Sequence, residues 1–147
     1  MSKRRDAREY ALHVLFQLDF NPADAHKTLE DFWVGKELDP KVKTFAEELV
    51  LGVVKDLERI DTLIGKHATH WAVKRIGAVD RNVIRMALYE MLECADIPPV
   101  VSINEAIEIA KKYGSEESGK FVNGVLDCAK KELPRSSREA TKPATAS

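Results

Sequence analysis

Apolar residues in this chain recur at steps of three and four and rarely alternate, the spacing that gathers side chains on one face of a helix. Over residues 7–20 the stripe is Ala11, Leu12, Leu15, Phe16 and Leu18, and Asn-Pro-Ala-Asp then interrupts it. A weaker pattern predicts a short helix over residues 28–33. Asp39 before Pro40 supplies a cap followed by a proline suited to the first helical position. Val42, Phe45, Leu49, Val53, Leu57, Ile60 and Ile64 then continue in register, predicting the longest helix of the chain, with Gly52 as a place to bend. Residues 66–79 are ambiguous: Trp71 and Ile76 are expected anchors and Gly77 a break.

The second half is clearer. Asp80 is expected to cap a helix burying Val83, Ile84, Ala87, Leu88 and Met91, which Ile97-Pro98-Pro99 stops. Ser102 and Glu105 have capping-box spacing, in which the serine oxygen accepts from the Glu105 N–H and the glutamate reaches back. Ile103, Ala106, Ile107 and Ala110 extend that helix to Gly114, placed for a left-handed terminal cap. A last helix is predicted over residues 118–133, burying Val122, Val125, Leu126 and Ala129. Residues 134–147 lack the apolar groups that offset ordering entropy and are expected to be disordered. The fold class is therefore all-α, and no long-period repeat suggests a solenoid.

Composition narrows the picture. A chain of 147 residues suits one compact domain. No apolar run approaches the roughly 20 residues of a membrane span, and none follows the basic start as in a signal peptide. A cytoplasmic protein without a membrane partner is the expectation. The net charge of -1 conceals a gradient: residues 1–10 carry +2, residues 130–147 carry +3, and the body carries -6. Basic ends on an acidic body suggest a polyanion gripped locally. Cys94 and Cys128 are expected to be buried thiols, and His67 and His70 surface side chains, because no second pair of ligands completes a metal set.

One stretch invites another reading. Gly-Ser-Glu-Glu-Ser-Gly-Lys-Phe, from Gly114 to Phe121, matches a phosphate-binding loop except at its last position, where Phe121 replaces the hydroxyl that would hold magnesium. Such a loop must follow a strand, whereas a helical pattern precedes Gly114. Glu116 and Glu117 would also repel a polyphosphate. A helix–turn–helix junction fits better: Gly114 ends one helix, the two glutamates complement the positive end of the next, and Gly119 permits close approach.

The residues that fit the core poorly carry the functional signal. Lys3, Arg4, Arg5 and Arg8 place positive charge at a helix start, the unfavourable sign, so something else must compensate. As a loose arm they could neutralise phosphates and stack on bases; as a solubilising terminus they would do neither. Near the start of the last helix, Lys120, Phe121 and Asn123 bring together a charge, a ring and an amide, a set suited to single-stranded RNA. By pattern alone Phe121 and Phe16 read first as core residues and second as an RNA surface. Asp80, Glu90, Glu105 and Glu108 are explained by caps or solvated faces rather than by acid–base catalysis.

The stretches "RRDAREYALHVLFQLDF", "DRNVIRMALYEML" and "IPPVVSINEAIEIAKKYGSEESGKFVNGVLD", in this order, resemble the NusB family of bacterial transcription antitermination factors. The resemblance spans Arg4 to about Lys131, and residues 21–71 add little to it. It implies two small helical bundles within residues 1–133, with residues 1–6 as a flexible basic arm, and no enzymatic activity, cofactor or metal. It further implies binding of boxA-type single-stranded RNA of ribosomal RNA operons, together with the ribosomal protein that acts as NusE, within an RNA polymerase antitermination complex. The RNA-facing positions it implies are Lys3, Arg4, Arg5, Arg8, Phe16, Asp80, Glu117, Ser118, Lys120, Phe121 and Asn123. Asp6 interrupts the basic run, so the arm is expected to grip RNA less well alone and to need the partner to complete the site. The alternative is a helical interaction module, homodimeric or docked on an rRNA-processing factor, without RNA binding of its own.

Overall fold

The computed structural model of the chain describes residues 2–68 and 73–133, so the expectations for His70, Trp71 and the tail at 134–147 lie outside the described residues. The elements are α1 (Lys3–Phe20), α2 (Ala25–Trp33), α3 (Pro40–Lys55), α4 (Leu57–His67), a 3-10 turn (Val73–Arg75), α5 (Ala78–Glu93), α6 (Pro99–Tyr113) and α7 (Glu116–Lys130). There is no strand among the described residues. α1, α2 and α3 form one small bundle and α4 to α7 the other. α5 joins them by packing on α1 and α3 as well as on α4, α6 and α7.

The apolar stripes read from the sequence form the core. Leu49, Ile60, Ile64, Ile84, Leu88 and Leu126 are fully buried in one continuous cluster that also holds Leu12, Leu15, Met91, Val122 and Val125. Each large aliphatic side chain removed from water contributes roughly 1.5–3 kcal/mol. α5 is buried on almost every side, with Val83 to Leu88 all shielded, and its polar residues Asn82, Arg85 and Glu90 are buried with them.

Several boundaries differ from expectation for identifiable reasons. α1 begins at Lys3, not residue 7, because the Ser2 side chain accepts from the Arg5 N–H and caps the helix there. The long helix predicted across residues 42–64 is two helices meeting at Asp56. Gly52 serves contact rather than bending: a Cβ there would lie 2.1 Å from a Tyr89 ring carbon. Ser102 and Glu105 form no capping box. Pro99 at the first position starts α6 earlier, so Ser102 lies inside the helix and its hydroxyl donates to Glu90 at 2.8 Å instead.

Gly114 is likewise not a left-handed cap, having φ of -117°. What it requires is space, since a Cβ would meet Ser118 Oγ at 2.4 Å and the Ala110 carbonyl oxygen at 2.8 Å. Asp80 lies in the first turn of α5, with Gly77 at the cap position. α7 starts at Glu116, two residues before the predicted start, because Ser115 accepts from the Ser118 N–H at 3.2 Å. Cys94 is buried as expected, but Cys128 is exposed.

Candidate nucleic-acid interface

The N-terminal cations are not a loose arm. They form the first turns of α1, and acidic groups from other elements supply the compensation that a positive helix start demands. Lys3 pairs with Asp39 at 2.7 Å, and Arg4 with Asp96 at 3.1 Å while its guanidinium lies 4.6 Å from the Phe45 ring centre. Arg5 grips Glu105 through two bonds, Nε to Oε1 and Nη2 to Oε2, the latter at 2.6 Å. That hydrogen bond is the main reason the Glu105 carboxyl is held below its usual range. Asp6 falls in the helix's first turn, where negative charge is favourable.

Arg8 is only 3% exposed and is committed to Glu90, so it has no route to a phosphate. Burial alone would depress its guanidinium, but the Glu90 hydrogen bonds and charge outweigh that and raise it. The exposed cations at this end are therefore Lys3 and Arg4, with side chains 63% and 48% exposed.

A second group gathers where α6 turns into α7. Asp80, Glu117, Ser118, Phe121, Ile76 and Arg75 line an open cavity of about 300 Å³. Phe121 is half-buried, with its ring forming part of the wall, so it is neither sealed in the core nor free in solvent. Burial pushes the Asp80 carboxyl up, opposed by a hydrogen bond with Ser118. Lys120 and Asn123 are exposed on α7 beside it, and Lys120 makes only a loose contact of 3.5 Å with Glu117. Arg75 at this cavity escaped the sequence reading, because it falls in the stretch with no helical period.

A charge network joining the two bundles adjoins this cavity through Ile76. Asp19 accepts from Arg81 at 2.8 Å and Asn82 at 2.7 Å, and Arg85 bridges Asp19 to Asp61. Burial would raise the Asp19 carboxyl, yet Arg81, Asn82 and Arg85 together hold it below its usual range. Arg81 also donates to the Ile76 carbonyl, fixing the entry to α5.

The two groups do not merge into one patch. α6 runs parallel to α1: Arg5 meets Glu105, Glu9 accepts from Lys112 at 2.7 Å and from Tyr113, and His13 stacks edge-on against Tyr113 at 5.3 Å. The α6–α7 turn therefore lies beside the middle of α1, roughly 15 Å from Lys3 at about 1.5 Å per residue. Between and beyond them, Arg5, Glu9, His13, Phe16 and Phe20 follow one another at steps of three and four along a single helix face. Phe16 is half-buried and packs edge-on against Phe20 at 4.9 Å; Phe20, unremarked in the sequence, is 75% exposed. The result is a strip of Arg5, Glu9, His13, Phe16 and Phe20, while Lys3 and Arg4 lie off that face at the helix start, turned toward Asp39, Asp96 and Phe45.

The NusB family model matches residues 5–131. The transcription antitermination protein NusB of Bdellovibrio bacteriovorus is 48% identical over 128 residues, covering 86% of this chain and 94% of the relative. Among solved structures, NusB of T. maritima is 43% identical with a TM-score of 0.82, covering 90% of this chain and 93% of that one. A structure of antitermination factors NusB and NusE in complex with dsRNA is 30% identical with a TM-score of 0.81, covering 89% and 98%. Sequence likeness across both bundles and agreement of the folds lead to one conclusion: the chain belongs to the NusB family.

Proposed function

We propose that this protein is a noncatalytic, RNA-binding transcription antitermination factor that holds boxA-type single-stranded RNA of ribosomal RNA operons jointly with the ribosomal protein acting as NusE. The observation that carries this reading is the pairing of exposed Lys3 and Arg4 at the start of α1 with a separate Phe121 cavity at the α6–α7 turn, which lies beside the middle of the same helix. Lys3 and Arg4 take phosphates, while Phe16, Phe20 and Phe121 offer faces or edges to unpaired bases. The family relationship, and the solved complex of NusB and NusE with dsRNA, support RNA and NusE as the partner classes. Assembly into an RNA polymerase antitermination complex follows from it. Among the described residues no helix is long and apolar enough to cross a membrane.

With so few exposed cations, RNA affinity depends on the protein partner, whose own surface adds contacts at high effective concentration. Fluorescence anisotropy with a labelled boxA-type RNA and a scrambled control tests this. Tight, sequence-selective binding is expected when the ribosomal protein is added, and weak binding without it. Equal affinity for both RNAs with the partner present would overturn the reading.

A second reading, an interaction module without RNA binding of its own, draws on the exposed Val54 and Leu57 that flank the break between α3 and α4. Light scattering separates the two. A tight homodimer unmoved by RNA would favour the module.

A further inference from the structure

α4 and α7 bring together three side chains that neither the core nor the RNA strip uses. His67 ends α4, Cys128 lies near the end of α7, and Glu132 follows one turn later. Cys128 Sγ is 3.2 Å from His67 Nδ1, and the other ring nitrogen, Nε2, is 3.0 Å from Glu132 Oε2. Lys66 pairs with the remaining Glu132 oxygen. We propose that Cys128 is a nucleophilic modification site that takes low-molecular-weight disulfides into a mixed disulfide, with His67 as proton acceptor and Glu132 as the carboxylate that positions it.

The geometry supplies each role. Lys66 first, and His67 second, hold the Glu132 carboxyl below its usual range, so it is an acceptor at neutral pH. A carboxylate at Nε2 places the ring proton there and leaves the Nδ1 lone pair aimed at the thiol. The two ring nitrogens point in opposite directions, so the three groups form a relay rather than a chelate. No cluster suited to a metal occurs among the described residues. The His67 side chain is 8% exposed whereas Cys128 is open to solvent, which shields the base and presents the nucleophile. Of the other charged groups nearby on α7, Asp127 is engaged with Lys130 at 3.0 Å.

The step balances without further reagents. The Cys128 proton passes to His67 Nδ1, the thiolate attacks one sulfur of the disulfide R–S–S–R, and the new Cys128–S–S–R linkage forms as the S–S bond of the reagent breaks and RS⁻ departs. The departing RS⁻ takes the proton from the imidazolium as RSH. The disulfide is the oxidant: Cys128 is oxidised and one RS group is reduced. Cys94 is the internal contrast. It is 4% exposed, and burial together with Glu48 and Glu90 pushes its thiol far up, so it stays protonated. The inference is independent of the RNA reading.

The test uses the full chain and 4,4′-dithiodipyridine, whose thiopyridone product absorbs light. Near pH 6.5 one equivalent should be released at least about tenfold faster than by glutathione, whose thiol, like a free cysteine at about 8.5, is almost wholly protonated there. Mass mapping should place the adduct on Cys128. His67→Gln should slow the reaction about tenfold, and Glu132→Gln by a smaller factor with the pH–rate profile moved toward that of a free thiol. Should His67→Gln fail to fold by circular dichroism, the wild-type profile decides. A plateau below about pH 7 supports the relay, and a single rise near the ordinary thiol range overturns it, as would a rate unchanged by either substitution in folded protein.

Discussion

Arg8 of α1 and Glu90 of α5 face each other inside the protein, joined by Nε to Oε2 at 2.8 Å and Nη2 to Oε1 at 2.7 Å, with side chains only 4% and 2% exposed. Ser102 of α6 adds a third bond to the same carboxylate. The pair clasps the two bundles through three helices, and removing one member leaves the other charged and buried. Glu90→Ala should cost about 3–5 kcal/mol in urea denaturation. Lys3→Ala, which removes an exposed pair, should cost under about 1 kcal/mol. A loss for Glu90→Ala as small as that for Lys3→Ala would contradict a buried clasp.

RNA binding should divide by charge and ring. Each phosphate neutralised on a single strand contributes about -0.7 to the log–log salt slope, so Lys3→Ala with Arg4→Ala should flatten it by about 1.4. Phe121→Ala should weaken binding by about 1–3 kcal/mol and leave the slope alone. Anisotropy titrations at several salt concentrations, with the protein partner present, distinguish the two effects.

Two helical glycines should respond oppositely to alanine. At Gly52 the new methyl would press into the Tyr89 ring, so Gly52→Ala should lose about 1–3 kcal/mol. At Gly124, where a Cβ would meet nothing within 4 Å, Gly124→Ala should gain about 0.5–1 kcal/mol from helix propensity. Thermal melts of both variants give the comparison.

Acid should loosen the bundle junction. Asp19 and Glu105 both have carboxyls held lower in the folded state than in the unfolded chain. Unfolded Asp and Glu titrate near about 3.9 and 4.3, so the stabilisation is complete above that range and disappears as pH falls through the lower folded values. Stability measured from pH 5 downward should therefore decline below about pH 4. Asp19→Asn should be less stable at neutral pH and show a shallower decline.

Period alone predicted the class and most of the elements, because burying a helix face imposes three-and-four spacing on any sequence that folds this way. Leu49, Ile60, Ile84, Leu88 and Leu126 were legible as core and are buried. The final junction was also legible. Glycine, serine and acid residues have local reasons to end one helix and begin another.

What local pattern could not convey was partnership across the chain. Ser102 and Glu105 have the spacing of a cap, but Pro99 had already started the helix, and tertiary packing gave the serine to Glu90 and the glutamate to Arg5. The same packing turned a supposed flexible arm into an ion-paired helix start and withdrew Arg8 from solvent. It also set Cys128 beside a histidine 61 positions away. Hydrophobic periodicity is a property of one helix and can be read from one segment. The destination of a charged or nucleophilic side chain depends on which other helix lies opposite it, and only the folded arrangement of α1 against α5 and α6, and of α4 against α7, decides that.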